Sequence, residues 1–161
     1  MIHCADHQSC RQAALEAAEQ HCAEAGLRLT ELRRRVLALV WESHQPVKAY
    51  DLMAKLPRDG ASPAQPPTVY RALDFLRENG LIHRLDSINA YIGCSHPRHH
   101  EDCYFLLCEG CGLAEECCTP TLAEAIRHVG RERNFSATTT TLEITGLCSD
   151  CQNHDPANPA S

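Results

Sequence analysis

Two Cys-x-x-Cys pairs, Cys108/Cys111 and Cys148/Cys151, constrain this chain more than any other feature, because they tie together segments separated by residues 112–147. Four thiolates so spaced can surround one Zn²⁺ tetrahedrally at about 2.3 Å, and a closed sulfur shell suits a structural ion. A redox dithiol needs only one such pair, within a thioredoxin-like pattern that is not found here. Four cysteines can also hold an iron–sulfur cluster, which spacing alone does not separate from zinc. With zinc, the ion pins the C-terminal strand onto the first strand of its sheet, and metal binding becomes part of the folding free energy. In a reducing compartment spaced thiols are candidate metal ligands, and the odd count of 11 cysteines leaves at least one unpaired. No run of about 18 apolar residues occurs, and "MIHCADHQSC" lacks a basic segment followed by an apolar one, so no membrane span or signal peptide is expected. The expected location is the cytoplasm, where thiols stay reduced and a disulfide framework is disfavoured.

Upstream of the knuckles the periodicity is helical. "RQAALEAAEQHCAEA" (11–25) is rich in helix formers and stops at Gly26. Thr30 can cap a second helix whose Leu32, Val36, Leu39 and Val40 form one apolar stripe. "VKAYDLMAKL" predicts a third helix, followed by the loop "PRDGASPAQP". "PPTVYRALDFLRENG" predicts a fourth, with Val69, Leu73 and Leu76 inward and Thr68, Tyr70 and Arg71 pointing elsewhere. "LIHRL" and "AYIG" around "DSIN" then predict a β-hairpin. Helices closed by a two-stranded hairpin make a winged helix-turn-helix, in which the start of the last helix approaches base edges. By themselves Tyr70 and Arg71 also read as a solvated helix face. The net charge of −6 argues against nucleic acid, yet residues 27–86 carry ten Lys or Arg against seven acids, a local +3 on an acidic chain.

The second half is mixed. "YFLLC" and "CGLAEECC" predict strands, and Pro120 to Val129 a helix with Leu122, Ile126 and Val129 inward and Gly130 after it. "SATTTTLEITGLC" is β-branched enough for a strand. The expected organisation is α+β: a winged-helix domain over 1–86 with a flexible 1–9, a hinge at 87–93, a small α/β domain over 94–152, and a flexible tail over 153–161.

Between the modules lie Cys94, His96, His99, His100, Glu101 and Cys103, with His83 on the hairpin and Glu115, Glu116, Cys117 and Cys118 further on. Singly, each reads as a surface polar group or a small buried thiol, Cys103 as strand packing. A shell of one thiolate, one carboxylate and two imidazoles, taking His83 from one module and Glu116 from the other, would neutralise Zn²⁺, whereas the four-thiolate site carries −2. That difference separates an exchangeable ion from a permanent one. At the N-terminus His3, Cys4, His7 and Cys10 read as a frayed tail, or as an accessory metal site if helical.

"PPTVYRALDFLRENGLIHRL", "NAYIGC", "FLLCEGCG" and "LEITGLCSDC" together resemble the Fur family of metal-responsive repressors, most closely its zinc-uptake regulators, over about Leu27 to Cys151. The resemblance implies a homodimer with a winged helix on an AT-rich palindromic operator and a C-terminal α/β dimerisation domain. It places structural zinc on Cys108, Cys111, Cys148 and Cys151, and regulatory zinc on His83, Cys94, Glu116 and one of His99, His100 or Glu101. DNA contact falls on Tyr50, Tyr70 and Arg71, with Thr68 beside them. It implies one structural and one regulatory Zn²⁺ per monomer and repression of zinc-uptake genes, with no small-molecule substrate. A thiolate at Cys94 favours Zn²⁺ over Fe²⁺ or Mn²⁺. The alternatives are an iron- or peroxide-responsive member of the same family, the latter through oxidation of Cys94 or the Cys117–Cys118 pair, and a zinc storage or delivery protein. An enzyme is not expected, since the zinc-deaminase pattern of H-x-E with P-C-x-x-C is not found.

Overall fold

The computed structural model describes residues 7–56, 65–95, 103–138 and 140–154. The chain divides into two compact units, Met1–Pro97 and Arg98–Ser161.

The first unit is built from α1 (His7–Glu24), α2 (Glu31–Val40), α3 (Ala49–Lys55), α4 (Pro66–Glu78), β1 (Ile82–Leu85) and β2 (Ala90–Gly93). Helix α1 begins at His7, earlier than the expected Arg11, so residues 7–9 of the segment expected to be flexible form its first turn. The His7 ring anchors that turn, with Nδ1 3.1 Å from His44 Nε2 and Nε2 2.8 Å from the Trp41 carbonyl oxygen. Thr30 caps α2 as expected, its Oγ1 accepting from the Arg33 amide at 3.4 Å. Pro66 and Pro67 start α4, and Gly80, at φ 67°, turns the chain out of it in a conformation that side chains with a Cβ resist. The apolar stripes of α2 and α4 meet in a core where Leu37, Leu52, Leu73 and Leu76 are all but fully buried. Each such leucine contributes about 1.5–3 kcal/mol by burial.

Strands β1 and β2 pair antiparallel with Ile82 opposite Gly93 and His83 opposite Ile92. Residues 87–93, expected as a hinge, are therefore the hairpin turn and β2 itself. Val47 bridges to Tyr91 and ties the hairpin to the segment before α3. Gly93 is required here by packing: a Cβ on it would lie 2.2 Å from the Trp41 ring. The loop expected between α3 and α4 lies almost wholly outside the described residues.

The second unit holds β3 (Cys103–Cys108), β4 (Ala114–Cys118), α5 (Pro120–Glu132), β5 (Glu143–Gly146) and α6 (Ser149–His154). The sheet order is β4-β3-β5, antiparallel between β3 and β4 and parallel between β3 and β5. A parallel pair needs a crossover, which α5 supplies. Helix α5 runs through Gly130 instead of stopping there. Its end is a Schellman turn in which Asn134, at φ 51°, takes the left-handed position and the Phe135 amide donates to the Gly130 carbonyl at 2.8 Å. The face expected inward is not covered by this unit: Leu122 and Ile126 are half-buried and Val129 is 56% exposed. Among the described residues of the predicted long strand, Glu143–Gly146 is the regular part, and α6 takes Asn153 and His154 from the expected tail.

Candidate metal centres and nucleic-acid interface

The knuckle Cys108–Cys111 is the turn between β3 and β4, and Cys148 and Cys151 sit just before and within α6. Pairing of β5 on β3 brings the second knuckle to the first: Cys108 lies opposite Gly146, and the Glu109 amide donates to the Gly146 carbonyl at 2.8 Å. The four sulfurs lie within 4.8 Å of one another, with Cys111 Sγ 3.8 Å from Cys148 Sγ. Tetrahedral Zn–S bonds of about 2.3 Å imply sulfur–sulfur edges of about 3.8 Å, so the donor set fits that ion. Two further features prepare the cradle. Gly110 leaves room for a thiol, since a Cβ there would lie 2.8 Å from Cys151 Sγ. The Cys148 backbone amide donates to Cys108 Sγ at 3.3 Å.

The same contacts sort the protons. Amides of Cys148 and Cys111 hold the Cys108 thiol down to about 6. The neighbouring sulfurs of Cys148 and Cys108 push Cys151 up to about 12. A metal that takes all four sulfurs must therefore displace the proton of Cys151.

In the first unit, His83 and Cys94 share one face of the hairpin. Cys94 stands opposite Leu81, its amide donating to the Leu81 carbonyl at 3.1 Å, and His83 follows two residues later on the same side. Their ligand atoms lie within 4.8 Å. Both are buried, His83 at 7% exposure and Cys94 at 4%. Glu116, 9% exposed, is on β4 in the second unit. His96, His99, His100 and Glu101 lie outside the described residues, as do His3 and Cys4. His7 and Cys10 belong to α1, where His7 is engaged by His44 and Trp41.

The residues expected at nucleic acid are on the surface of the first unit. Tyr50, on α3, is 77% exposed and Tyr70, on α4, 46%. Thr68 and Arg71 are exposed beside Tyr70, while Val69, Ala72 and Leu73 face the core.

The ferric uptake regulator family matches residues 24–145. This chain belongs to that family. It is 36% identical over 143 residues to the zinc uptake regulation protein of Escherichia coli (strain K12), covering 87% of this chain and 82% of that protein. A zinc uptake regulator complexed with zinc and DNA superposes with a TM-score of 0.82 at 34% identity, over 89% of this chain and 96% of the other. Holo XcZur superposes with a TM-score of 0.80 at 39% identity, over 88% and 98%. The α+β fold expected from the sequence, a winged helix followed by a small α/β domain, is the fold of these family members.

One feature of this family member escaped the sequence reading. Cys103 is joined to Cys118 in a disulfide, whereas the sequence by itself disfavours one and suggests strand packing for Cys103. The signal was present: with the knuckle as the turn, counting outward along both strands sets Cys103 opposite Cys118. Cys117 therefore does not pair with Cys118, since neighbours on a strand point to opposite faces. Burial raises its thiol pKa and so disfavours the reactive thiolate.

Proposed function

We propose that this family member is a zinc-responsive transcriptional regulator that, as a zinc-loaded homodimer, binds AT-rich palindromic operators and represses zinc-uptake genes. The observation that carries the reading is Cys94, a thiolate donor beside the His83 imidazole, in a chain this similar to a zinc uptake regulation protein. Sulfur selects zinc over iron or manganese. Two donors are half a tetrahedral shell. We assign the rest to Glu116 and one of His99, His100 or Glu101. Such a shell takes ligands from both units, so its affinity for zinc depends on how they are arranged, and zinc in turn favours the arrangement that completes it. Moving that equilibrium from 1:99 to 99:1 takes about 5.5 kcal/mol of differential binding.

The sulfur cluster of Cys108, Cys111, Cys148 and Cys151 is assigned one structural Zn²⁺, giving one structural and one regulatory ion per monomer. Operator contact is assigned to Tyr50, Thr68, Tyr70 and Arg71, on the locally basic segment. The second unit is assigned to dimerisation, which its exposed Val129, Phe135 and Ile144 support. The relatives are regulators, and no catalytic role is assigned.

The experiment is operator binding at buffered free zinc by wild type and Cys94→Ser. Replacing the thiolate is expected to move half-saturation to at least about tenfold higher zinc, a loss of about 1.4 kcal/mol. An unchanged zinc dependence would remove Cys94 from the sensing shell.

A further inference from the structure

A third group of donors lies entirely within the second unit. Cys103 and Cys118 face each other at the outer end of the β3–β4 ladder. Glu116, two residues before Cys118, shares its face of β4. Its Oε1 is 4.0 Å from Cys118 Sγ, and the two sulfurs and the carboxylate lie within 4.8 Å of one another. A bonded disulfide is a poor ligand, whereas two thiolates and a carboxylate are a strong set for a thiophilic divalent cation. The oxidation state of one cross-strand pair therefore decides whether this cluster is a covalent link or a metal trio.

We propose that Cys103, Cys118 and Glu116 form a redox-gated zinc site, separate from the four-sulfur cluster, that is open when the pair is reduced and closed when it is oxidised. Opening consumes two thiols of a small reductant: the Cys103–Cys118 bond breaks, a disulfide forms between the two reductant thiols, and two protein thiols result. Zinc then displaces their two protons. Closing uses a small-molecule disulfide as oxidant: each protein thiolate loses one electron, the two sulfurs join, the oxidant leaves as two thiolates, and the ion departs as Zn²⁺. No donor comes from His83 or Cys94, so the site stands without the sensing shell. Glu116 is the one residue the two would share. An ion held by the thiolate pair then competes with the sensing ion for that carboxylate, and this would couple thiol redox state to zinc sensing.

The test is ion stoichiometry on the full chain in the Cys94→Ser background, which takes away the other use of Glu116. Zinc is counted after dialysis against a chelator of intermediate affinity, and cadmium reports thiolate ligation by its ultraviolet charge-transfer absorption. The reduced chain is expected to hold one ion more than the chain oxidised with glutathione disulfide, with added thiolate-to-cadmium absorption. Cys103→Ser and Cys118→Ser are each expected to lose that ion and its redox dependence, and Glu116→Gln to weaken it about tenfold or more. The oxidised and reduced forms of one unmutated pair provide the comparison without relying on the folding of either serine variant. Equal counts in the two redox states would overturn the proposal. So would a redox-dependent ion that survives in the Cys103→Ser/Cys118→Ser double variant.

Discussion

At the scale of single residues, the four-sulfur cluster depends on a position that carries no donor. Gly110 lets Cys151 approach, and a methyl group there meets Cys151 Sγ at 2.8 Å. Gly110→Ala is expected to weaken structural zinc binding about 10- to 100-fold, the range seen when support behind metal ligands is removed. Competition with a chromophoric chelator reads this directly, and unchanged retention would show that Cys151 can ligate from elsewhere. Arg71 is a different kind of residue, exposed on α4 with its neighbours Val69, Ala72 and Leu73 locked in the core. Arg71→Ala is expected to cost about 1–3 kcal/mol of operator affinity if it reads a guanine edge. A loss that is uniform across sequences, with a shallower salt slope, would make it a phosphate contact instead.

At the scale of elements, the first unit was largely legible because its signals are local. Thr30, Pro66, Pro67 and the stripe of Val69, Leu73 and Leu76 specify starts, stops and faces without reference to distant chain. What could not be read came from contacts between elements. The first turn of α1 exists because His7 packs against His44 and Trp41, residues more than thirty positions away. The Cys103–Cys118 pairing needs the β3–β4 register. The exposed face of α5 is apolar by pattern, and periodicity cannot say whether a sheet or a second chain covers it. The contact of α1 with the turn after α2 also sets a pH dependence. Burial, and secondly the charge of His7, lower the His44 pKa from its ordinary 6.5. The unfolded chain takes that proton more readily, so this contribution to stability is intact above about pH 6.5 and falls as pH drops below it. His44→Gln is expected to flatten the decline in melting temperature between about pH 7.5 and 5.5, and an identical slope would assign the decline to other groups.

At the scale of the whole molecule, each unit carries metal donors, and the two donor sets differ in kind. Four thiolates leave a net charge of −2 with Zn²⁺ and belong to one unit, which suits permanence. Cys94 and His83 are an incomplete set in the other unit, which suits exchange. The candidate site was readable to the extent that ligands recur at fixed spacing, as in Cys108-x-x-Cys111. It was unreadable between Cys94 and Cys103, where His99, His100 and Glu101 stand side by side and their spacing does not select one of them as the fourth donor. If the second unit dimerises through its exposed apolar surface, Val129→Asp should weaken self-association about tenfold or more in sedimentation velocity, with the structural ion retained. The central claim is that zinc, and not iron, confers operator binding. The most direct measurement titrates free zinc and free Fe²⁺ separately against the chain and an AT-rich palindromic duplex, with a scrambled duplex as control. Zinc-dependent binding to the palindrome alone, with one labile and one tightly held ion per chain when the Cys103–Cys118 pair is oxidised, is the expected result. Binding that ignores zinc, or that follows Fe²⁺ equally well, would contradict it.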